Sequence, residues 1–402
     1  MNIDRDRVFA ELQKLAEFSD ATPPAVTRVV YSEQDMRARE YVKGLFREAD
    51  LEVREDAVGN TFARWQGSEP ELAAVGTGSH IDAIPHSGRY DGTVGVLGGL
   101  EAIRVLQRAG ERPRRSIELL LFTAEEPTRF GIGCFGSRLL AGVLDPAGLR
   151  DADGRTLADW RGEIGPVELP AGYYDSFVEL HIEQGPLLER DGIPIGVVTA
   201  IAAPASWRIL VEGEGGHAGA VLMPDRRDAF CAAAEIALAV ENAAKSTGAI
   251  DTVGTVGICE VFPGAVNSVP SRVQLSLDVR DIDQHRRDSV LSIIFNDSGR
   301  IAARRGVTVQ IETINADAPA VCDERVVETI ASAAESSGLA FQKMVSRAYH
   351  DSLFMARVAP TGMIFIPCRG GVSHRPDEYS SPEAIGAGVQ VLAVTLQRLA
   401  AC

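Results

Sequence analysis

Histidines and acids recur together in short motifs along this chain. His80 lies in Gly78-Ser79-His80-Ile81-Asp82, followed closely by Tyr90-Asp91-Gly92. The carboxylate pair Glu125-Glu126 comes next, then Glu179-Leu180-His181-Ile182-Glu183-Gln184-Gly185, and finally Ser373-His374-Arg375-Pro376. Imidazole nitrogens and carboxylate oxygens gathered from several loops suit two divalent cations held close together. His80, Asp91, Glu126, His181 and His374 give each cation one shared carboxylate and two terminal groups. Positions stay open for water and substrate, as a catalytic centre requires. The chemistry is that of a metal-dependent hydrolase.

The individual roles follow from spacing. His80 and Asp82 are two apart at a strand end, so both side chains face one way. One imidazole nitrogen can bind metal while the other donates to the Asp82 carboxylate, which fixes the tautomer. Glu125 and Glu126 are adjacent and point in different directions. One can bind metal while its neighbour acts as a base on water. Each motif alone also has a plainer reading: a structural strand-end histidine, a turn carboxylate at Asp91-Gly92, a solvated strand end, a buried core histidine at His181. Single motifs of this length often arise without function; the combination carries the argument.

These residues need elements to place them. Residues 5–18 and 33–49 have helical periodicity. Residues 73–78 read as a buried strand ending at His80, and residues 93–109 as the helix after it. Residues 117–123 form another apolar run, with Glu125-Glu126 beyond its end, and residues 177–180 lead into His181 in the same way. Open α/β sheets put ligand sites at the carboxyl ends of their strands. Near Ala202-Ala203-Pro204 the pattern changes. Strands at 206–211, 253–261, 273–279 and 307–313 and long helices at 225–245 and 283–305 give a β-α-β-β-α-β order. That order predicts a ferredoxin-like α+β unit, a four-stranded antiparallel sheet with two helices on one face. After Pro319 the chain returns to helix, strand (362–366), the His374 loop and a last helix at 382–400. The expected fold class is α/β. A mixed-sheet two-metal hydrolase domain, residues 1–204 and 318–402, is interrupted by an α+β lid or dimerisation domain, residues 205–317.

Bulk properties agree. The chain has 402 residues and a formal net charge of −16, which argues against nucleic acid or an anionic membrane as the main partner. The charged N-terminus has no apolar core, and no 18-residue apolar run stands out, so neither a signal peptide nor a membrane span is expected. The six cysteines form no CxxC pair. Reduced thiols and a cytoplasmic location are the default. His86 and His285 read as ordinary surface or loop residues.

The ordered motifs, with Gly215-Gly216-His217-Ala218-Gly219 added, resemble the two-metal amidohydrolases related to aminoacylase. The resemblance covers nearly the whole chain. It points to the branch of N-carbamoyl-L-amino acid, allantoate and ureidoglycolate amidohydrolases, because peptidases of the wider family usually offer a carboxylate where this chain has His181. It implies that His80, Asp91 and His181 hold one metal and Asp91, Glu126 and His374 the other. It implies that Asp82 orients His80 and that Glu125 is the general base. His217 matches a lid histidine that reaches the partner subunit's site and polarises the scissile carbonyl, so a homodimer through the inserted domain is implied. Asn267 and Arg280 match substrate-binding groups, Arg280 taking a substrate carboxylate in a charge-assisted fork. Gln184, Tyr349 and His350 complete the candidate substrate-binding set. The stretches 125–130 and 349–355 are most similar to the ureidoglycolate branch, and Tyr349, where carbamoylases tend to have glycine, favours a small polar substrate. The expected reaction converts (S)-ureidoglycolate to glyoxylate, ammonia and carbon dioxide, with manganese or zinc as the metal and manganese favoured. An N-carbamoyl-L-amino acid hydrolase, an allantoate amidohydrolase, a dipeptidase and a catalytically dead binding module are the rivals. The last should have lost a ligand or the base, and none is missing.

Overall fold

The computed structural model of the protein describes residues 2–402. They form two compact units. One comprises the residues up to Thr199 together with Cys322–Ser346 and His350–Cys402; the other comprises Ala200–Val321 and Arg347–Tyr349.

In the first unit, runs of consecutive apolar residues become strands covered on both faces. Ala74–Ser79, Ile117–Leu121 and Thr361–Ile366 are buried along their whole length, and Tyr174–Ile182 nearly so. These four strands are parallel, in the order Thr361–Ile366, Tyr174–Ile182, Ala74–Ser79, Ile117–Leu121. Ile195–Ile201 joins one side antiparallel; Thr61–Trp65 and then Glu52–Glu55 join the other. The sheet is therefore mixed. Parallel strands end at one edge, so the segments carrying His80, Glu125-Glu126, His181 and His374 all leave from that edge. Close approach is built in: a Cβ on Gly78 would stand 2.2 Å from the Leu120 carbonyl oxygen.

Helices Thr93–Arg108 and Pro382–Ala401 pack against each other and the sheet. By length and composition Pro382–Ala401 is apolar enough to cross a membrane, where the sequence pattern leads to no such expectation. Its Ile385, Val389, Leu392 and Leu396 are fully buried within the unit, which is the setting of a core helix.

The second unit is an antiparallel sheet in the order Val253–Phe262, Arg272–Asp281, Ala203–Glu212, Thr308–Ala316. Helices Ala229–Ser246 and Gln284–Arg305 cover one face. Ala232, Ile236 and Val240 from one helix and Val290 and Ile294 from the other meet Ile209, Leu275 and Leu277 of the sheet. The alanine-rich helix starts at Ala229, not at residue 225. Asp228 accepts hydrogen bonds from the amides of Phe230 and Cys231 and caps it, while Met223–Asp225 make a separate 3-10 turn. A side-chain cap sets a helix start more firmly than the preceding proline. The pair Val26–Arg28 with Ala83–Ser87 was not foreseen, being too short to show alternation. His86 lies exposed on that second strand, and His285 is exposed on Gln284–Arg305.

Candidate metal centre and active site

His80 follows its strand directly and is buried. Its Nδ1 lies 3.1 Å from the Asp82 main-chain oxygen, closer than the 3.5 Å to the Asp82 carboxylate. The ring is thus held by backbone. The Asp82 carboxylate instead accepts the amides of Glu125 (3.2 Å) and Glu126 (3.0 Å), which locks the acidic pair beside His80. With Nδ1 so engaged, His80 Nε2 faces Asp91 Oδ1 at 3.5 Å and Glu125 Oε2 at 3.8 Å.

His181 sits near the end of its strand. Its Nδ1 lies 2.9 Å from the Ile182 carbonyl oxygen. Its Nε2 faces the Gly92 amide at 3.1 Å and Asp91 Oδ1 at 3.2 Å. The other oxygen of Asp91, Oδ2, is 3.2 Å from His374 Nε2. His374 Nε2 is also 3.3 Å from Glu126 Oε1. Asp91 therefore shares its two oxygens between two sets of donors, His80-Asp91-His181 and Asp91-Glu126-His374, and each set is compact enough to hold a metal ion. Imidazole and carboxylate donors in this mixture fit divalent cations. Burial alone would raise the Asp91 carboxyl, but hydrogen bonds from His181, His374 and His80 hold it well below the usual range. Hydrogen bonds to Asp91 and Glu126 push His374 up to about 11. Protons on these rings offset the negative charge that divalent ions would offset in their place.

Burial pushes Glu125 well above the ordinary carboxylate value, partly offset by His80 and reinforced by Glu126 and Asp351. A raised carboxyl facing a metal-binding group can hold a proton as well as release one.

A third group, Glu179, His181 and His350, is also compact, but its acid is engaged. Glu179 accepts from Ser79 Oγ (2.7 Å) and from Ser352 Oγ (2.6 Å). It ties two strand ends to the segment after His350. His350 itself is 2% exposed, with its ring 4.5 Å from that of His181 and edge-on to it. Gln184, expected at the substrate, donates to Asp91 Oδ2 at 2.6 Å and to Ser373 Oγ at 3.3 Å, so it steadies the shared carboxylate.

Glu378 went unnoticed in the sequence. Its Oε1 accepts the amides of Tyr90 (2.7 Å) and Asp91 (3.1 Å), and its Oε2 accepts from Ser373 Oγ (2.8 Å). It clamps the Asp91 turn to the His374 loop. The signal was an acid four residues beyond His374, in a loop with no periodicity. Strained backbone borders the same centre: Ala124, Cys134, Gln184 and His374 all have positive φ. Each such residue costs about 1–3 kcal/mol and persists where the surroundings over-determine it.

The remaining candidates lie in the second unit. His217, on the short strand Gly216–His217, pairs with Ser268–Val269, and the Ala218 amide donates to the Asn267 carbonyl at 2.8 Å. His217 and Asn267 are thus neighbours, both exposed. Arg280 is half-buried and donates to both oxygens of Asp278, at 2.8 and 3.3 Å, and to the Arg347 carbonyl at 3.4 Å. The Tyr349 hydroxyl donates to Asp317 at 2.5 Å.

Fold and ligand arrangement are those of a metal-binding hydrolase, and the sequence comparisons specify which. The model of peptidase family M20/M25/M40 matches residues 76–398. The chain belongs to this family. It is 54% identical over 415 residues to a ureidoglycolate hydrolase of Arabidopsis thaliana, covering 99% of this chain and 87% of the other. It is 39% identical over 407 residues to an N-carbamoyl-L-amino acid amidohydrolase of Geobacillus stearothermophilus, covering 99% of both. The crystal structure of AtUAH in complex with glyoxylate superposes with a TM-score of 0.92 at 53% identity, covering 100% of this chain and 98% of that one.

Proposed function

We propose that the protein is a ureidoglycolate hydrolase, cleaving the C–N bond between the ureido carbonyl and its terminal nitrogen. The observation that carries this is the 54% identity across nearly the whole chain to a ureidoglycolate hydrolase, against 39% to a carbamoylase. The glyoxylate held in the related crystal structure is the carbon product expected here. Water addition and decay of the resulting carbamate and hydroxy-amine convert one ureidoglycolate and one water into glyoxylate, two ammonia and one carbon dioxide.

Two divalent ions, manganese in preference to zinc, held by His80-Asp91-His181 and Asp91-Glu126-His374, would supply Lewis-acid polarisation and a lowered water pKa. The remaining work falls to the chain. Glu125 takes a proton from the attacking water and returns it to the leaving nitrogen. Asp82 fixes Glu125 and Glu126 through their amides. His217 donates to the developing oxyanion, Asn267 binds the ureido group, and Arg280 exchanges Asp278 for the substrate carboxylate. Gln184 and His350 support this centre through Asp91 and His181, and Tyr349 narrows the space beside the substrate.

The inserted unit is proposed as a lid and dimer interface. Its edge strand Val253–Phe262 exposes Ile258 and Phe262, and an uncovered apolar edge is a pairing surface. The six cysteines are free thiols, in keeping with a reducing, cytoplasmic setting. The test is a substrate panel after reconstitution with manganese or zinc. Ureidoglycolate should release ammonia and glyoxylate with kcat/KM well above that for N-carbamoyl-L-amino acids. The reverse order would make the protein a carbamoylase, the second reading that the 39% relative supports.

A further inference from the structure

Glu125 has a neighbour that the proposed mechanism leaves unused. Cys134, fully buried, places its Sγ 3.4 Å from Glu125 Oε1. The contact is rigid. The amides of Cys134, Phe135 and Gly136 donate to the carbonyls of Glu125, Ala124 and Thr123 at 2.7, 2.8 and 2.8 Å. This ladder zips residues 134–136 alongside residues 123–125. Left-handed backbone stands on both sides of it, at Ala124 and Cys134, each with φ 54°. Neither residue is glycine, so the ladder holds a conformation that local preference disfavours. Burial keeps Cys134 a thiol by pushing its pKa well above the ordinary value, so it is available as a donor.

The two carboxylate oxygens of Glu125 are then distinct. Oε1 faces the thiol, while Oε2 faces His80 Nε2 at 3.8 Å. We propose that Cys134 is a positioning residue: its S–H donates to Glu125 Oε1 and selects the rotamer that presents Oε2 to the metal-binding group. A carboxylate without this anchor has a free terminal torsion, and its reactive oxygen spends less time aligned with the attacking water.

The inference rests on the general-base reading of Glu125, so its test has two arms. The first is vibrational. The S–H stretching band of Cys134, isolated as the infrared difference between wild type and Cys134→Ala, should lie at low wavenumber, as a hydrogen-bonded thiol does. In Glu125→Gln, a weaker acceptor, it should move up. The second is kinetic. Cys134→Ala should lower kcat roughly tenfold, the worth of one modest hydrogen bond, with KM and metal content unchanged. Cys134→Ser, which keeps a donor, should recover most of the loss. A band at the position of a free thiol, unmoved by Glu125→Gln, overturns the proposal, as does an alanine variant with wild-type kcat. If the wild type hydrolyses neither ureido nor carbamoyl substrates, the functional reading fails, and the band still decides whether the thiol holds the carboxylate.

Discussion

Replacing Gly92 by alanine tests whether the turn after Asp91 sets the metal geometry. Gly92 has φ 65° and ψ −44°, a region that an L side chain avoids, at about 1–3 kcal/mol. The added Cβ would stand 2.4 Å from His80 Cδ2 and Nε2. Ordinary contact begins near 3.4 Å, so the ring must withdraw by 3.4 − 2.4 = 1.0 Å. Metal–nitrogen bonds tolerate about 0.2 Å of error, and a misplacement of about 1 Å costs on the order of 10²-fold in rate. The donor set His80-Asp91-His181 therefore fails first, because the three atoms nearest the new methyl group all belong to His80. Elemental analysis after dialysis should fall from two ions per chain to one. Ammonia release from ureidoglycolate should drop on the order of 10²-fold, with the protein still folded by circular dichroism. Two tightly held ions and near wild-type turnover in Gly92→Ala would refute this account of the turn.

Three further outcomes are expected. Glu125→Gln should lose about 10²–10⁴-fold in kcat while keeping its metals and matching or exceeding wild-type stability, because burial disfavours the charge it removes; wild-type turnover with metal bound would end its assignment as base. Glu378→Ala leaves the Tyr90 and Asp91 amides without their acceptor, at about 1–3 kcal/mol each; a lowered melting temperature and about 10–100-fold weaker metal binding should follow, and unchanged affinity in a metal titration would contradict the clamp. Asp351 is raised to about 8, mainly by burial and then by Glu179. Its folded pKa exceeds the unfolded value, so the stability it contributes is full below about pH 4 and is lost as pH rises through about 8. Urea unfolding of chelated protein should show this loss between pH 5 and 9 in the wild type and a flatter profile in Asp351→Asn; parallel profiles would show that the carboxyl does not titrate there.

The donor residues were legible because their chemistry is unusual and three of them, His80, Glu126 and His181, adjoin apolar runs that read as buried strands. The βαββαβ order of the second unit was legible for the same reason, since alternation and long helical stretches survive without tertiary information. What escaped depended on contacts distant in sequence. Glu378 and Cys134 lie in loops with no period, and their partners Asp91 and Glu125 are known only once the fold is formed. Besides lying 3.5 Å from the His80 ring, the Asp82 carboxylate accepts two amides, because strand-end spacing shows that groups can meet, not every partner they take. The bond from Gln184 to Asp91 also depends on the left-handed turn at that residue, which spacing does not show.

The order in which the donors appear along the chain also governs how the molecule is made. His80 and His374 are 374 − 80 = 294 residues apart, and Asp91 contacts both. At about 5–20 residues per second, roughly 15–60 s of synthesis separate the first donor from the last. For most of that interval the nascent chain carries Asp91, Glu125 and Glu126 without the loop that completes the second donor set. A truncated or stalled chain lacks that set and forgoes the stabilisation that a ligand bound only to the native state provides. Metal content would then distinguish finished molecules from unfinished ones, a difference that proteases acting on loosely held chains would meet.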